Sequence, residues 1–421
     1  MLDKLRLVLK LIGLTFSLTF VRISFHISGQ IHRLTYKTDT NPKNVVVVGG
    51  SFAGYFLAKQ LSESLPSGYR VILIEKHSHF HFTWNFPRIS VVPDHDHEAF
   101  IPFPSRPKLA PEGAYLFQQG NVVAIAPRKV TLEDGSSIDF DYLAIATGSQ
   151  ARYPAKFEAD GKSEGIKFFQ EQQDRIKAGQ NIVIVGGGAA GVEVAGDIKT
   201  KYPEKSVTLV HSRKNLLNNF GVGLHETAQK ALEALEVKLY LGERVISDMD
   251  TESPKEITLS SGTILRCDTL IKCTGQYPRA TLIRGFSPAS VSQSGGILVD
   301  GMLRLKNSPS PNIFALGDVI DTPGPKMGRA ATMQGMCVAD NIVRAIKQKP
   351  LKTYSPTFVD TSIELTLGLG KNVMYINDGK SEISFSKKMT DESMHAAQMW
   401  KLMDAQPFHD AGDLEASKLS A

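Results

Sequence analysis

Cysteine is scarce in this chain of 421 residues, and the placement of its thiols excludes several kinds of protein. The thiols are Cys267, Cys273 and Cys337, too few and too widely spaced for a disulfide framework or a CxxC metal site. With 42% hydrophobic and 22% charged residues, the chain is expected to form two or three globular domains. The sparse thiols therefore indicate that the body of the protein lies in a reducing environment.

Acidic residues are nearly absent from the N-terminal segment. Residues 1–38 contain one acid, Asp3, and six cations, which together account for the whole net charge of +5: Lys4, Arg6, Lys10, Arg22, Arg33 and Lys37. The rest of the chain is neutral overall. This distribution gives no strong signal for nucleic-acid binding, although it does not exclude a local basic patch.

The same segment lacks a long uninterrupted apolar run. Residues 5–31 are apolar and free of acids, but the uncharged stretch at residues 11–21 is shorter than the roughly 20 residues that span a bilayer. On a helical wheel its Leu and Ile positions surround the axis, which disfavours an in-plane amphipathic helix. The alternatives are a short membrane anchor, a signal-like segment, an organelle targeting peptide, or a helix packed on the body.

The first of two glycine-rich loops follows a short linker at residues 38–43. Residues 45–54 (VVVVGGSFAG) join a β-branched strand to a helical pattern that runs through Leu65, and a second strand follows at residues 71–75. Glu75 ends that strand, where its carboxylate can accept hydrogen bonds from the ribose hydroxyls of FAD. This copy is therefore predicted to bind FAD.

Its three small loop positions have separate roles. In such loops the first glycine makes a tight turn, the second lets the backbone approach a pyrophosphate, and the third lets the helix pack close to the strand. Here Ser51 stands at the middle position, a small residue that costs some closeness of approach but not binding, and Gly54 stands at the third. The helix N-terminus then supplies free N–H donors for the phosphates.

The second copy has all three glycines, Gly186, Gly188 and Gly191, within IVIVGGGAAG at residues 182–191. A helix to about residue 201 and a strand at residues 207–212 complete it. No acid ends that strand to select the 2'-hydroxyl of NADH. It ends instead with His211 and Ser212, and the Arg213 that follows could meet the 2'-phosphate of NADPH.

Together the two copies predict an α/β fold with two Rossmann-like dinucleotide-binding domains. Three further segments fit this plan. YLAIATG and LIKCTG resemble strands whose terminal glycines, Gly148 and Gly275, bring the chain to each nucleotide. IFALGD places Asp318 at a strand end, where a carboxylate can hold the ribityl hydroxyls of a flavin, although a simple helix cap is the alternative.

The predicted domain plan has four parts. It consists of an apolar basic membrane or targeting segment at residues 1–38, an FAD domain at residues 44–150 and 300–345, an NAD(P)H domain at residues 151–299, and a smaller α+β region at residues 350–421.

A cluster of histidines follows Glu75, and alternating histidines on a strand can bind one metal ion. The cluster comprises His77, His79, His81, His95 and His97. No cysteine or ordered carboxylate pair completes a metal site, so a polar loop over the cofactor is the preferred interpretation, and no metal is predicted.

The absence of cysteine before residue 267 bears on the electron acceptor. Flavin enzymes that reduce disulfides carry an early redox-active thiol, so a disulfide acceptor is disfavoured here.

A family resemblance rests on a specific run, GVEVAGDIKTKYPEKSVTLVHS at residues 191–212, together with ATGSQ, ALGD and the PKM at residues 325–327. With these motifs the chain resembles, from about Asn44 to about Phe408, the family of the apoptosis-inducing-factor-homologous, mitochondrion-associated inducer of death, also called ferroptosis suppressor protein. The resemblance implies a flavoprotein NAD(P)H:quinone oxidoreductase at a membrane surface, mitochondrial or on the cytoplasmic face of a lipid droplet.

The resemblance also implies site residues. The FAD contacts that it implies are Gly49, Gly50, Ser51, Phe52, Ala53, Arg88, the backbone of Val122, Asp318 and Lys326. Arg88 would offset negative charge near the pyrophosphate or a flavin oxygen, Lys326 would act likewise near the isoalloxazine, and Glu193 would lie toward the nicotinamide.

The chain departs from the family in two places. Residue 2 is leucine, so the myristoylation signal of some members is missing. Type II NADH dehydrogenases carry paired glutamines near the quinone, whereas only Gln334 stands in ATMQG here. Other electron acceptors are therefore kept as alternatives, namely ferredoxin, rubredoxin or a monodehydroascorbate radical. A different alternative is a redox-sensing cell-death factor that acts mainly by binding. The protein could also form a homodimer.

Overall fold

The computed structural model describes residues 2–157, 159–247, 249 and 254–410. The helices are α1 Leu2–Thr35, α2 Phe52–Ser62, α3 Phe86–Ile89, α4 Lys162–Ala178, α5 Ala189–Lys201, α6 Val222–Ala234, α7 Thr281–Phe286, α8 Gly328–Ile346 and α9 Ala396–Leu402.

The strands are β1 Lys43–Val48, β2 Tyr69–Glu75, β3 His79–His81, β4 Phe100–Pro102, β5 Tyr115–Gln119, β6 Val122–Ala126, β7 Lys129–Leu132, β8 Ser137–Asp139, β9 Tyr142–Ile145, β10 Ser149–Ala151, β11 Asn181–Val185, β12 Ser206–His211, β13 Lys238–Leu241, β14 Lys255–Thr258, β15 Ile264–Cys267, β16 Thr269–Lys272, β17 Gln276–Pro278, β18 Ile313–Ala315, β19 Ile363–Thr366, β20 Lys371–Asn377 and β21 Glu382–Lys388. Short 3-10 turns occur at Asp96–Ala99, Pro288–Ser290 and Gly317–Val319.

The chain forms two compact units. The first unit contains Met1–Phe80, Phe103–Gln150 and Tyr277–Thr361. The second unit contains His81–Pro102, Ala151–Gln276 and Ser362–Ala421. Residues 362–410, which the sequence suggested as part of a separate C-terminal region, thus group with the second unit.

The first unit is built on a five-stranded sheet in the order β18-β9-β1-β2-β5. All its neighbouring strands run parallel. The central strand β1 carries four consecutive valines at residues 45–48 that are nearly inaccessible, as expected for a strand covered on both faces. The helix α2 connects β1 to β2, which gives the predicted βαβ arrangement. A separate antiparallel sheet, β6-β7-β8, accompanies it.

The second unit repeats this arrangement with a four-stranded parallel sheet in the order β13-β12-β11-β16. The helix α5 connects β11 to β12 and ends before Tyr202 and Pro203, where the sequence predicted a break. An antiparallel sheet, β19-β20-β21, belongs to the same unit. The predicted fold class, with two Rossmann-like domains, is confirmed.

One boundary differs from the sequence prediction. The apolar pattern after the first loop predicted a helix through Leu65, but α2 ends at Ser62. The N–H groups of Ser64 and Leu65 both bond to the carbonyl of Leu61, which closes a tight turn before Pro66. A turn of this kind buries Leu65 without extending the helix.

The N-terminal helix α1 is continuous. Leu5–Thr35 contains an 18-residue window with a mean hydropathy of 1.7, and the helix is long and apolar enough to cross a membrane by length and composition. Its C-terminal end docks on the first unit, since His32 Nε2 lies 2.6 Å from the carbonyl of Leu65. Just beyond the helix, the Tyr36 hydroxyl donates to the carbonyl of Tyr69 at 2.9 Å.

Candidate functional site

Both glycine loops make the same turn. Gly49 and Gly186 adopt left-handed backbone, with φ of 100° and 120°, and each accepts only a hydrogen atom as side chain. A Cβ at Gly49 would meet the carbonyl oxygen of Ala146, and one at Gly186 would meet that of Cys273. The N–H of each glycine donates to a carbonyl of the next strand, Ile74 or Val210, at 2.8 Å.

The third glycine of each loop is fixed by helix packing. A Cβ at Gly54 would collide with the carbonyl oxygen of Gly49, and one at Gly191 would collide with that of Gly186. The middle positions are different, because Ser51 and Gly188 both have extended backbone and cap the following helix. A Cβ at Gly188 would have no neighbour within 4 Å. Ser51 therefore keeps the backbone geometry that glycine has at residue 188.

Glu75 is positioned at the end of β2 by the first loop. The N–H of Gly50 donates to Glu75 Oε2 at 2.5 Å, and His77 contributes its N–H and Nδ1 to Oε1. Burial would raise the pKa of Glu75, but the interactions with His77 and Gly50 outweigh it and hold that pKa at about 2. Glu75 is therefore an ionised acceptor, as the FAD prediction requires.

His211 occupies the matching position at the end of β12. The N–H of Gly187 donates to His211 Nδ1 at 3.1 Å, so the imidazole takes the place that a carboxylate has in the first loop. Arg213 follows as an exposed cation, and its carbonyl accepts from the N–H of Gly242. This arrangement matches the absence of an acid that the sequence indicated.

Gly148 and Gly275 each lie three residues beyond the strand that pairs with the strand before the glycine loop, β9 beside β1 and β16 beside β11. The carbonyl of Gly148 accepts from the N–H of Arg279 at 2.9 Å. Val122 begins β6 in the first unit and is buried. The predicted nucleotide contacts of these residues remain predictions.

Asp318 lies in the 3-10 turn that follows β18, and its half-buried carboxylate accepts from the Ser149 hydroxyl at 2.9 Å. Gln334 on α8 holds the same turn, since its Oε1 accepts from the N–H of Gly317 at 2.7 Å. From the sequence alone, Gln334 is of interest only as a residue that could face a quinone. In the structure it is buried and supports the turn that carries Asp318.

Lys326 folds back on the loop after that turn. Its Nζ donates to the carbonyl of Ile320 at 2.7 Å and to the carbonyl and hydroxyl of Thr322 at 3.1 Å. Burial lowers the pKa of Lys326, and Asp318 and Asp321 oppose that effect. Its predicted position near the isoalloxazine remains a prediction.

A buried ionic cluster lies on α5 in the second unit. Arg88 Nε donates to Asp197 Oδ2 at 2.7 Å, and neither side chain is exposed to solvent. Burial raises the pKa of Asp197, with Arg88 opposing it. Burial also raises the pKa of Glu193, one turn earlier, to about 8, and the N–H of Thr366 donates to it at 3.2 Å. This shift favours the protonated form of Glu193 at neutral pH.

Arg88 thus has a partner that the sequence did not indicate, because Asp197 is 109 residues away along the chain. Its Nη1 is buried without a hydrogen-bond partner, so the guanidinium retains a donor that a bound anion or carbonyl could use. Its predicted FAD contact remains a prediction.

The histidines of the loop after Glu75 have different neighbours. His77 contacts Glu75, His81 stacks on Phe157, and His95 pairs with Glu98 and Glu392. Within the described residues, no group of three or more His, Cys, Asp or Glu side chains is arranged to hold a metal ion.

The three thiols are free. Burial raises the pKa of Cys267 to about 11 and that of Cys273 to about 12, and it also raises the pKa of Cys337. Because the thiolate is the reactive form, these cysteines are not poised for thiol–disulfide exchange at neutral pH.

Comparison with known proteins agrees with this geometry. The sequence profile of the family described as pyridine nucleotide-disulphide oxidoreductase matches residues 43–335. Fe-regulated protein 8 of Mycosarcoma maydis is 32% identical over 85% of this chain and 97% of its own length. Ferroptosis suppressor protein 1 of Mus musculus is 32% identical over 82% of this chain and 90% of its own length.

A solved structure shows the same fold. The sulfide:quinone oxidoreductase of Aquifex aeolicus superposes with a TM-score of 0.68 at 18% identity, covering 86% of this chain and 90% of that one. The predicted family, enzyme class and nucleotide cofactors are thereby confirmed. The chain belongs to the pyridine nucleotide-disulphide oxidoreductase family, together with the ferroptosis suppressor proteins, and is an FAD-dependent NAD(P)H oxidoreductase.

Proposed function

We propose that this oxidoreductase passes electrons from NAD(P)H through FAD to a quinone at a membrane surface, with α1 as its membrane contact. The observation that carries the proposal is an exposed apolar stripe on α1 in a protein whose cysteines are not poised for disulfide exchange. FAD supplies the redox chemistry when bound, accepting a hydride from the nicotinamide and passing electrons on.

The residues of the first unit fit FAD. Glu75 is an ionised, buried acceptor at the strand end where dinucleotide domains bind the adenosine ribose, and the turn at Gly49 leaves room only for backbone. The start of α2 offers N–H donors to phosphates, as the N-terminus of any helix after such a loop does. Asp318 offers a carboxylate oriented by Ser149. The chain's part in the reaction is to bind, orient and supply charge.

The three thiols bear on the identity of the electron acceptor. Disulfide reduction requires a thiolate next to the reduced cofactor, and Cys267 and Cys273 have a pKa of about 11 and about 12. Cys337, the remaining thiol, also has a raised pKa and stands on α8 without a second cysteine near it in sequence. A disulfide acceptor is therefore disfavoured, and a small acceptor that needs no thiol is preferred.

The exposed face of α1 then favours a lipid environment. Large apolar residues recur at steps of three or four along the helix, so they share one face within ~100° of arc. Each is 47% to 86% exposed: Leu5, Leu9, Ile12, Phe16, Phe20, Ile23, Ile27, Ile31 and Leu34. The Leu and Ile positions alone do not reveal this stripe, because further apolar residues lie on the opposite face of the helix. Among them, Leu11, Leu14 and Val21 are half-buried.

Cations border this stripe. Arg6 and Lys10 lie on one flank and Arg33 on the other, and the segment contains a single acid, Asp3. A helix with an apolar face and a basic border binds the interface of an anionic membrane, each cation near the surface contributing about 1 kcal/mol. A lipid quinone dissolved in that membrane would be within reach of an enzyme held there.

The acceptor class is tested with the purified full chain and NADPH. The acceptors compared are a short-chain quinone, ferredoxin, rubredoxin, the monodehydroascorbate radical and a small disulfide. We expect the quinone to have the highest kcat/KM. A higher kcat/KM for an iron–sulfur protein or for rubredoxin would contradict the proposal and would make the protein an electron-carrier reductase. Negligible turnover with every acceptor would favour a cell-death factor that acts by binding.

A further inference from the structure

The C-terminal segment of the second unit, residues 389–410, packs on the rest of that unit through two buried contacts. The indole N–H of Trp400, on α9, donates to the carbonyl of Glu98 at 2.9 Å. Near the end of the segment, Asp410 accepts from Nζ of Lys162, the first residue of α4, at 2.7 Å. All four residues are buried. We call residues 389–410 the C-terminal latch.

A histidine makes a third contact between the latch and the 3-10 turn at residues 96–99. Nδ1 of His95 lies 3.1 Å from Oε1 of Glu98, and its Nε2 lies 3.4 Å from Oε2 of Glu392 in the latch. Both ring nitrogens carry a proton only in the imidazolium, so only that form can face both carboxylates with an N–H group. The protonated ring therefore joins the turn to the latch.

We propose that His95 is a protonation-dependent clasp, whose imidazolium holds the C-terminal latch against the 3-10 turn and whose loss of a proton loosens the latch as the pH rises. This inference goes beyond the electron-transfer reaction, because neither the reductant nor the acceptor takes part in it.

The contact made by the clasp borders a cavity of about 500 Å³. His95 and Glu98 line the cavity on the side of the turn, and Asp391, Glu392 and Phe408 are among the residues that line it on the side of the latch. The two segments are therefore not packed tightly against each other here. Their attachment at this point depends on the charges that span the gap.

The charges around the ring favour the imidazolium. Burial alone would lower the pKa of His95, but the carboxylates of Glu98 and Glu392 outweigh burial and raise that pKa above its usual value of 6.5. Asp391 also faces the cavity, although its carboxylate accepts from N–H groups of the latch itself, that of His395 among them. Among the described residues that line the cavity, none is a lysine or an arginine.

Two acids flank His95 along the chain. Burial raises the pKa of Asp96 to about 6, with a hydrogen bond from Gln173 opposing this shift and the charge of Asp94 adding to it. The stability contributed by protonated Asp96 is therefore lost between its usual pKa of 3.8 and about pH 6. That range lies below the one in which His95 loses its proton.

The turn is also connected to α3. Gln173, on α4, donates from Nε2 to Asp96 Oδ1 at 2.6 Å and to the carbonyl of Ile89 at 2.7 Å. Ile89 is the last residue of α3, the helix that carries Arg88. A latch that stabilises the turn thus supports the helix that positions Arg88.

The direction of the pH effect follows from linkage. Because the folded-state pKa of His95 is raised, the contribution of the clasp is complete below pH 6.5 and is lost as the pH rises through the folded-state value. Glu193, with a pKa of about 8, titrates in the same range, so global unfolding would not isolate the clasp. Local opening of the latch, measured by hydrogen exchange, does isolate it.

The test is amide hydrogen exchange of α9, measured by mass spectrometry as protection factors at about pH 6 and about pH 8.5 on the full-length, FAD-loaded protein. The wild type is compared with His95→Gln and with the control His395→Asn. His395 also lies between two carboxylates, at 3.7 Å from Glu364 and 3.8 Å from Asp391, but it is 52% exposed and its ion pairs contribute little. Asparagine is chosen because residue 395 has a φ of 67°, which asparagine adopts readily.

Between the two pH values, the protection of α9 should fall at least about threefold more in the wild type than in His95→Gln, as expected for loss of an ion pair with one exposed partner. His395→Asn should retain the pH dependence of the wild type. Glu193 is intact in every variant, so its titration contributes equally to all of them and cancels in the comparison.

The proposal is overturned if His95→Gln keeps the pH dependence of the wild type, or if His395→Asn removes that dependence as fully as His95→Gln does. If His95→Gln does not retain FAD, Glu392→Gln replaces it, because the side chain of Glu392 is 58% exposed and its substitution is compatible with folding. That variant should also show a weaker pH dependence than the wild type, and an unchanged dependence would overturn the proposal.

Discussion

Replacing Asp318 by alanine is expected to weaken FAD binding about 10- to 150-fold. The side chain is half-buried in the 3-10 turn after β18, and the Ser149 hydroxyl orients it with a hydrogen bond of 2.9 Å. Hydrogen bonds to an ionised group contribute about 1.5 to 3 kcal/mol, and each 1.4 kcal/mol is tenfold in a dissociation constant. The stated range follows from losing one such bond to a ribityl hydroxyl.

The measurement is a titration of the apoprotein with FAD, followed by quenching of flavin fluorescence. Asp139→Ala is the control, since it removes an exposed carboxylate on β8 of the same unit and should leave binding unchanged. Asp318→Asn should fall between the wild type and the alanine variant, because it keeps an acceptor but loses the charge. An Asp318→Ala protein that binds FAD within twofold of the wild type would refute this role.

Three further outcomes are expected. Burial raises the pKa of Glu193 from 4.5 to about 8, so the folded protein holds a proton that the unfolded chain releases. The free energy of unfolding therefore falls as the pH rises between these two values. Thermal unfolding of Glu193→Gln should depend less steeply on pH than that of the wild type. Arg213→Ala should lower kcat/KM for NADPH more than for NADH, whereas a wild-type preference for NADH above about tenfold would contradict the assignment of the strand end. Phe16→Ser combined with Phe20→Ser should lower binding to anionic liposomes at least about 100-fold in a sedimentation assay, since each lost side chain costs about 1.5 kcal/mol or more. The control Ser17→Asn combined with Ser24→Asn should leave liposome binding unchanged.

The parts of the fold that the sequence predicted are those with a local pattern. The two glycine loops, the strands that flank them and the acceptor at Glu75 follow from spacing within about 30 residues, because a βαβ unit is a local structure. The break after α5 was predicted for the same reason, from Tyr202 and Pro203.

The parts that the sequence did not predict depend on contacts between distant segments. Asp197 meets Arg88 across 109 residues, and Gln334 meets Gly317 across 17, so neither partner could be identified by spacing. The hydrogen bond between Gly187 and His211 was also missed, since a histidine at a strand end has no fixed pattern. Residues 362–410 group with the second unit through contacts that no motif predicts, such as the hydrogen bond from the N–H of Thr366 to Glu193.

The exposed apolar stripe on α1 does not follow from the Leu and Ile positions alone. These positions surround the helix axis, whereas Phe16 and Phe20 are the most exposed of the described large side chains in the middle of α1. When they are included, the helix has one exposed apolar face and a second, half-buried one.

The central claim is that α1 brings the reduced flavoprotein to a quinone in a membrane. The most direct measurement compares the full chain with a protein lacking residues 2–28, which keeps the contacts of His32 and Tyr36 with the first unit. Each is supplied with NADPH and either a water-soluble quinone or a long-chain quinone in anionic liposomes. The account predicts equal turnover of the soluble quinone and a loss of at least about tenfold on the liposomal quinone after deletion. Equal turnover of the liposomal quinone by both proteins would contradict it.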